Sequence, residues 1–353
     1  MKKKILMKGN EAVAEAAIQA GCRFFAGYPI TPQNEIPEYL SRRMPEMNGI
    51  FIQAESELAA VNMVYGASAA GMRAMTSSSS PGISLMQEAI SFLAAAELPA
   101  LIVNIQRGGP GLGNITASQG DYFQAIKGGG HGDYRCIVYA PFTVQEMWDL
   151  TMRAFDKSDQ YRTPAILLGD GVVGQMMEPF CPTPYRRPRL PEKKWVVDGC
   201  KGREPRIIRS LYMGQGELEE HNLRLMKKYD IIRKKEVMFE TYDTDDARLV
   251  IVAFGVAARV AFSSVRELRK RGMKVGLFRP VTLFPFPELE LRSLAGRGRR
   301  FIVVEMNAGQ MVEDVRLAVN GGSEVLFYGR PGGVVLTPDE LTKKIRSVYT
   351  RKR

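Results

Sequence analysis

Along the first 180 residues the hydrophobic and polar positions switch repeatedly between two periods. Short strand-like runs ("RFFAGY", "GIFIQ", "RAMTSS", "PALIVNIQ", "CIVYA", "PAILLGD") are bounded by turn residues. Between them lie longer stretches of helical character: "GNEAVAEAAIQAG", "PQNEIPEYLSRRM", "ESELAAVNMVYGASAAG", "GISLMQEAISFLAAAE" and "TVQEMWDLTMRAFDKSD". The third of these opens with carboxylates, where the helix dipole favours negative charge. Strict strand–helix alternation predicts an α/β fold built on a parallel sheet covered on both faces.

The rhythm breaks at 181–245. "CPTPYRRPRLPEKK" carries Pro182, Pro184, Pro188 and Pro191 and reads as an extended connector. Within it 217–235 is predicted to be an amphipathic helix with Leu218, Leu225, Tyr229 and Ile232 on one side, an acidic start and a basic end. Alternation resumes over 246–353, with strands at "RLVIVAF", "KVGLFRP", "RFIVVEM" and "EVLFYGR" and a helix at "VAARVAFSSVRELRKRG". The final helix is predicted to start at a capping box, Thr337 and Glu340, with Pro338 in its first turn. Three segments are therefore expected: 1–180, a connector over 181–245, and 246–353.

Composition narrows the chemistry. A chain of 353 residues with 45% hydrophobic and 25% charged content is an ordinary globular protein with ample core. The run "ILM" in "MKKKILMKGNEA" is too short for a signal peptide, and "AISFLAAAELPALIV" is interrupted by Glu97 and Pro99, so no membrane span is expected and the cytoplasm is the expected location. Cys22, Cys136, Cys181 and Cys200 stand apart without a C-x-x-C, and His131 and His221 are the sole histidines. Neither a local iron–sulfur site nor a zinc site is expected in this chain, and its chemistry either needs few protein nucleophiles or borrows a cofactor. Residues 186–236 hold 15 Lys/Arg against 8 Asp/Glu, most of the net +11, which suits a polyphosphate, a nucleic acid, an acidic partner surface or a solvated linker face.

Three phosphate or metal signatures fail. "RGGPGLGNIT" has Asn114 and Thr116 where a dinucleotide loop needs glycine, no P-loop occurs, and "GDG" at 169–171 lacks the later asparagine of a magnesium–diphosphate motif. "GDG" is read as a strand-end turn. A constellation remains: Tyr28, Thr31 and Pro32 in the stiff bend "GYPITPQNE", Glu57 in "ESELAA", the serine-rich "TSSSSPG" and Arg107 in "IQRGG". Each follows a strand, and in a parallel sheet such loops share the carboxyl edge, where ligands bind. Spacing alone predicts a polar small-molecule cleft and does not name the ligand.

Together "GYPITPQNE", "QAESELAAVNMVYGAS", "MTSSSSPGISLMQE", "NIQRGGPGLGN" and "SQGDYFQAIKGGGHGDY" resemble the chain that carries the pyrimidine-binding domain of 2-oxo acid:ferredoxin oxidoreductases. The resemblance spans the chain. It implies a pyrimidine-type thiamine diphosphate-binding domain over 1–180 and a transketolase C-terminal-like domain over 246–353. "TSSSSPGIS", "RGGPGLG" and "GGGHGDYR" are most similar to the branched-chain type, acting on 3-methyl-2-oxobutanoate (2-oxoisovalerate); the 2-oxoglutarate type is the alternative. The family decarboxylates a 2-oxo acid oxidatively onto coenzyme A and passes electrons through [4Fe–4S] clusters to external ferredoxin. The implied partners are a chain binding the diphosphate and Mg²⁺, a ferredoxin-like iron–sulfur chain and a gamma-type subunit.

By the same resemblance Glu57 matches the carboxylate that bonds the aminopyrimidine ring and favours its imino tautomer. Glu55 lies two residues away, on another face if both are helical. Arg107 matches the substrate-carboxylate arginine. Thr31 is expected to bond the 2-oxo acid, its hydroxyl held still by Pro29 and Pro32. Tyr28, Pro29, Ser79 and Ser80 are expected around the cofactor, Tyr28 packing against the bend. His131 is expected to be structural or interfacial, and the basic connector to meet a partner subunit or coenzyme A phosphates. Two other readings stand beside this one: another thiamine-dependent half-enzyme, and a non-enzymatic anion- or nucleic-acid-binding protein, for which no aromatic-interleaved basic motif is present.

Overall fold

The alternation is realised almost element by element in the computed structural model, which describes residues 4–350. Its first part comprises β1 (Ile5–Lys8), α1 (Gly9–Gln19), β2 (Phe24–Gly27), α2 (Glu35–Glu46), β3 (Ile50–Gln53), α3 (Glu57–Ala69) and β4 (Ala74–Ser78). There follow α4 (Ser80–Ala95), β5 (Leu101–Gln106), β6 (Ile137–Tyr139), α5 (Val144–Tyr161), β7 (Ala165–Asp170), α6 (Gly171–Gln175) and β8 (Met177–Phe180). After 181–216, which has no regular structure, come α7 (Glu217–Lys235), β9 (Phe239–Tyr242), β10 (Leu249–Val252), α8 (Gly255–Lys270) and β11 (Val275–Pro280). The chain ends with β12 (Thr282–Phe284), α9 (Glu288–Gly296), β13 (Arg300–Glu305), α10 (Met311–Val319), β14 (Val325–Gly329) and α11 (Pro338–Tyr349).

A seven-stranded sheet has the order β12-β6-β7-β5-β4-β2-β3, parallel throughout except for β12 on β6. Its central strands β4, β5 and β7 are buried along their whole length, as expected where helices cover both faces. Helix α1 packs on α2 and α5, and α3 packs on α4. The second sheet, β14-β13-β10-β11-β9, is parallel except for β9 on β11. Strands β1 and β8 form a separate antiparallel pair.

Strands β9 and β12 were not legible as strands. Each is short, and each exists because it completes an edge: β9 lies within the connector yet joins the second sheet, and β12 lies beyond the connector yet joins the first. Helix α7 has the predicted bounds, but its inner face is His221, Leu225, Tyr229 and Ile232, whereas Leu218 is half exposed. His221 is accommodated because its Nε2 donates to the Ala95 carbonyl at 2.7 Å while Nδ1 accepts from Arg224. At α11 Thr337 caps the Glu340 N–H at 3.3 Å, but the return bond of a capping box is absent, since the Glu340 carboxylate turns to Tyr328 and Arg330.

Much of the connector's charge is paired within the chain. Lys193 meets Asp159 at 2.8 Å, Lys228 meets Glu97 at 2.9 Å, and Arg203 and Arg206 both meet Asp198. Arg162, Arg206, Arg209 and Arg224 line a cleft of about 440 Å³ beside the end of α4.

Candidate active site

The first sheet changes its direction of winding between β2 and β4: β2 leads outward to β3, while β4 leads the other way to β5. These two strands pair at Phe24–Ala74 and Phe25–Met75 and then part towards their carboxyl ends. Such a switch point opens a crevice at the carboxyl edge. The segments after β2, β3, β4 and β5 all reach it. Along β4 ("AMTSS") and β5 ("LIVNIQ") the residues turn from apolar to polar as the strands approach this edge.

The bend after β2 is held from several sides. Gln33 donates through its backbone to the Ile30 carbonyl at 3.1 Å and through Nε2 to the Tyr28 carbonyl at 3.3 Å, while its Oε1 accepts from Ser77 at 2.5 Å. Asn10 on α1 donates to the Pro32 carbonyl at 2.9 Å and to Glu35 at 2.8 Å, and Lys8 pairs with Glu35 at 3.1 Å. The Thr31–Pro32 peptide is cis. Thr31 presents its carbonyl to Arg107 Nη1 at 3.1 Å, and its hydroxyl has one long contact, from Asn34 at 3.5 Å. Tyr28, expected to pack against the bend, is 40% exposed; its carbonyl, not its ring, holds the turn. Pro29 is also exposed.

Glu57 is the first residue of α3, after the N-cap Ser56, whose hydroxyl accepts from the Ala59 N–H at 3.1 Å. Glu55 precedes the cap and is exposed, so it is excluded by lying outside the helix, not by helical phase. Glu57 is buried against the first turn of α4. A Cβ at Gly82 would stand 2.4 Å from Glu57 Oε1 and 2.1 Å from Ser78 Oγ, so only glycine admits both groups there. Ser78 Oγ is buried with no hydrogen-bond partner, and no side chain among the described residues donates to the Glu57 carboxylate.

Arg107 follows β5 and is buried. It makes no ion pair among the described residues: Nη1 donates to the Thr31 carbonyl and Nη2 to the Leu112 carbonyl at 3.0 Å, while Nε is buried without an acceptor. Its backbone N–H donates to Ser80 Oγ at 3.0 Å, and Ser80 Oγ donates to Asp121 Oδ2 at 2.6 Å. Ser79 Oγ donates to the Ile105 carbonyl at 2.7 Å. The hydroxyls of Ser79 and Ser80 thus have partners within the chain, and the free serine hydroxyl of "TSSSSPG" is that of Ser78. Asp121 also accepts from Asn104 at 2.9 Å; burial pushes its carboxyl above the usual range, against the two hydrogen bonds it receives.

Thr31, Glu57 and Arg107 therefore converge on the N-terminal turn of α4. His131 does not join them. It is exposed and lies edge-on to Phe92, twelve residues along α4 from Ser80, roughly 18 Å at 1.5 Å per residue. "GDG", expected to be a strand-end turn, instead passes directly from β7 into α6 with Asp170 as the N-cap: Oδ1 accepts from Val172 and Val173 at 3.1 and 3.0 Å, and Oδ2 from Val256 at 2.9 Å. Burial raises its carboxyl while these backbone donors oppose the rise, and they occupy both oxygens. Asn10, Gln33, Ser78 and Asp121 were not singled out from the sequence. Asp121 had a signal, an acidic residue in "SQGDYF" just after the glycine-rich loop; Asn10 sits inside an alanine-rich helix and had none.

Comparison with known proteins identifies the family. Residues 15–232 match the family model described as pyruvate flavodoxin/ferredoxin oxidoreductase, thiamine diphosphate-binding, and residues 247–341 match pyruvate:ferredoxin oxidoreductase core domain II. The chain is 51% identical to the ketoisovalerate oxidoreductase subunit VorB of Methanothermobacter thermautotrophicus, over 97% of both chains. It is 37% identical to the 2-oxoglutarate synthase subunit KorA of the same organism, over 98% of this chain and 99% of that one. Among solved structures, the 2-oxoglutarate:ferredoxin oxidoreductase of Magnetococcus marinus, with 2-oxoglutarate, coenzyme A and succinyl-CoA bound, superposes with a TM-score of 0.88 at 27% identity. That match covers 99% of this chain and 66% of the other.

Proposed function

This chain belongs to the 2-oxo acid:ferredoxin oxidoreductase family, and on that premise we propose that it is the pyrimidine-domain subunit of an enzyme converting 3-methyl-2-oxobutanoate and coenzyme A to the acyl-CoA, CO₂ and reduced ferredoxin. The observation that carries the substrate is the 51% identity to a ketoisovalerate oxidoreductase subunit against 37% to a 2-oxoglutarate synthase subunit, both over nearly whole chains. The loop that accepts from Arg107, "GGPGLGNITA", supports the reading, since it holds no second cation for a dicarboxylate.

The site suits thiamine diphosphate. Glu57 offers a carboxylate that accepts no hydrogen bond among the described residues to a protonated ring nitrogen, Ser78 an orphaned hydroxyl, and Gly82 the space in which both meet a planar ring. When bound, thiamine diphosphate supplies the carbon nucleophile and the electron sink that decarboxylation requires. Glu57 shares a proton at that ring nitrogen. Arg107 has two guanidinium donors tied to carbonyls and Nε–H still free, so it is oriented before a substrate carboxylate arrives. Thr31 has a hydroxyl proton available for the 2-oxo group as negative charge develops there.

The rest of the machinery belongs to other chains: the diphosphate and Mg²⁺ on one partner, [4Fe–4S] clusters on a ferredoxin-like chain, and a gamma-type subunit, assembled in the cytoplasm. Exposed Leu58 and Leu85, at the starts of the two helices that meet at Glu57, and Leu112 and Ile115 on the Arg107 loop, rim the crevice and suit a covering subunit. The arginine cleft near Ala95 lies at the far end of α4, away from Arg107, and suits a partner surface better than a coenzyme A whose thiol must reach the crevice.

The test is anaerobic, coenzyme A-dependent dye reduction by the co-expressed complex. 3-Methyl-2-oxobutanoate is expected to exceed 2-oxoglutarate and pyruvate in kcat/KM by roughly 10- to 200-fold or more, the range that apolar pocket fit provides. Equal or better use of 2-oxoglutarate would overturn the substrate assignment.

A further inference from the structure

We propose that Asp121 is a positioning residue for Arg107, acting through the hydroxyl of Ser80; the proposal rests on Arg107 as the substrate-carboxylate arginine. The Arg107 backbone N–H needs an acceptor, and Ser80 Oγ supplies it at 3.0 Å. A serine hydroxyl rotates freely about its C–O bond, so it is a well-directed acceptor only when its own proton is committed elsewhere. Asp121 Oδ2, 2.6 Å away, is the stronger acceptor for that proton; the Arg107 carbonyl lies at 3.2 Å. With the proton held by the carboxylate, a lone pair of Ser80 faces the Arg107 N–H.

Asp121 is itself fixed by β5 and, through its chain neighbours, by the second unit. Its backbone N–H donates to Gln106 Oε1 at 3.1 Å, and Asn104 donates to its carboxylate, both from β5. On either side the chain is bound to the second unit. Gln119 exchanges bonds with the Met306 backbone and donates to the Phe254 carbonyl at 2.7 Å, Tyr122 donates to Asp314 at 2.7 Å, and Phe123 donates through its backbone to Gln310 at 2.8 Å. The second unit, through Met306 and the starts of α8 and α10, therefore helps set where the carboxylate stands, and the carboxylate sets the Ser80 hydroxyl. The guanidinium is anchored separately by Thr31 and Leu112, so loss of the relay releases the root of the side chain while its tip remains bound.

The experiment uses the co-expressed complex with 3-methyl-2-oxobutanoate, or whichever 2-oxo acid it turns over best. Ser80→Ala and Asp121→Asn are each placed in the wild-type and the Arg107→Met backgrounds, with Tm and thiamine diphosphate binding measured on every variant. In the wild-type background each is expected to raise KM roughly tenfold, with kcat within about twofold, as for loss of one hydrogen bond serving a charged group. In the Arg107→Met background, where KM is already raised, the same changes should move it less than about twofold, because a residue that works through Arg107 has nothing left to position. Ser80→Thr, which restores the hydroxyl, should recover most of the wild-type KM. Equal effects in both backgrounds would make Asp121 a general structural residue and overturn the proposal, as would an unchanged KM in Ser80→Ala or Asp121→Asn. An unchanged KM in Arg107→Met would instead remove Arg107 from the substrate site, and the proposal with it.

Discussion

A carboxylate, a hydroxyl and a guanidinium edge, each without a partner among the described residues, face one turn of α4, and their chemistry sets what substitution should do. Glu57 holds nothing else in the fold, so Glu57→Gln is expected to leave the Tm of the complex within about 2 °C while dye reduction falls roughly 10²-fold or more, the usual weight of a positioned proton-transfer group. Near-normal turnover in that variant would end the assignment. Glu35 works from behind the site. Burial acts to raise its carboxyl, but Asn10, its own backbone N–H and Lys8 together hold it below the usual range. A carboxyl lowered in the folded state stabilises the fold above its unfolded value, about 4.3, and loses that contribution as pH falls through the folded value. Glu35→Gln should therefore lower the Tm of the isolated chain by about 2 °C at pH 7, and the gap should close on acidification below roughly pH 4. Thermal scans from pH 7 to 3 test this; a constant gap would show that the charge is irrelevant and only the shape of Glu35 counts.

Among the elements, β11 carries a residue with an unusual task. Arg279 is fully buried, reaches Glu146 on α5 at 2.5 Å and Glu240 on β9 at 2.7 Å, and stacks 3.9 Å over the Phe142 ring. It joins a helix of the first sheet to an edge strand of the second. Burial raises the Glu146 carboxyl, with Arg279 opposing, so deleting the cation leaves a poorly solvated carboxylate with only the Phe142 N–H for a partner among the described residues. Arg279→Met is expected to cost about 3 kcal/mol at pH 7, the lower part of the range for breaking a buried pair because Glu240 is partly exposed. Urea unfolding measures it. The deficit should shrink as pH falls and Glu146 takes up a proton; a loss below about 0.5 kcal/mol, typical of exposed pairs, would show that the contact is a surface one. Strand polarity is the other elemental feature. In β4 and β5 burial is uniform while polarity is not, and the orphaned Ser78 and Asn104 atoms lie in their carboxyl-end halves, towards the edge where the crevice opens, with orphaned Thr76 at the middle of β4.

At the scale of the whole molecule the two α/β units interlock. Strand β12 extends the first sheet, Asp170 at the end of β7 caps α8, and the segment 117–123 is bound to Met306 just after β13, to the N-cap of α8 and to α10. The second unit thereby takes part in shaping a site whose residues all lie in the first. Most of the architecture was legible beforehand, because strand and helix periods and turn residues are local properties: α7 matches its expected bounds, and every predicted strand of the first unit is present. So was the polar constellation, since residues after parallel strands must share an edge, and the string "GYPITPQNE" with its neighbours was enough to indicate the family. Partnership was not legible. That Ser80 serves Arg107 rather than standing free, that Ser78 is the orphan, that Glu55 lies outside the helix, and that Asp121 arrives beside Ser80 from forty-one residues away all depend on which loop reaches which strand end. Hydrogen-bond partners are chosen by distance in space. The amino-acid order determined the elements and the chemical groups available to this site; the packing of two sheets decided which of those groups are already satisfied and which are left to meet a ligand.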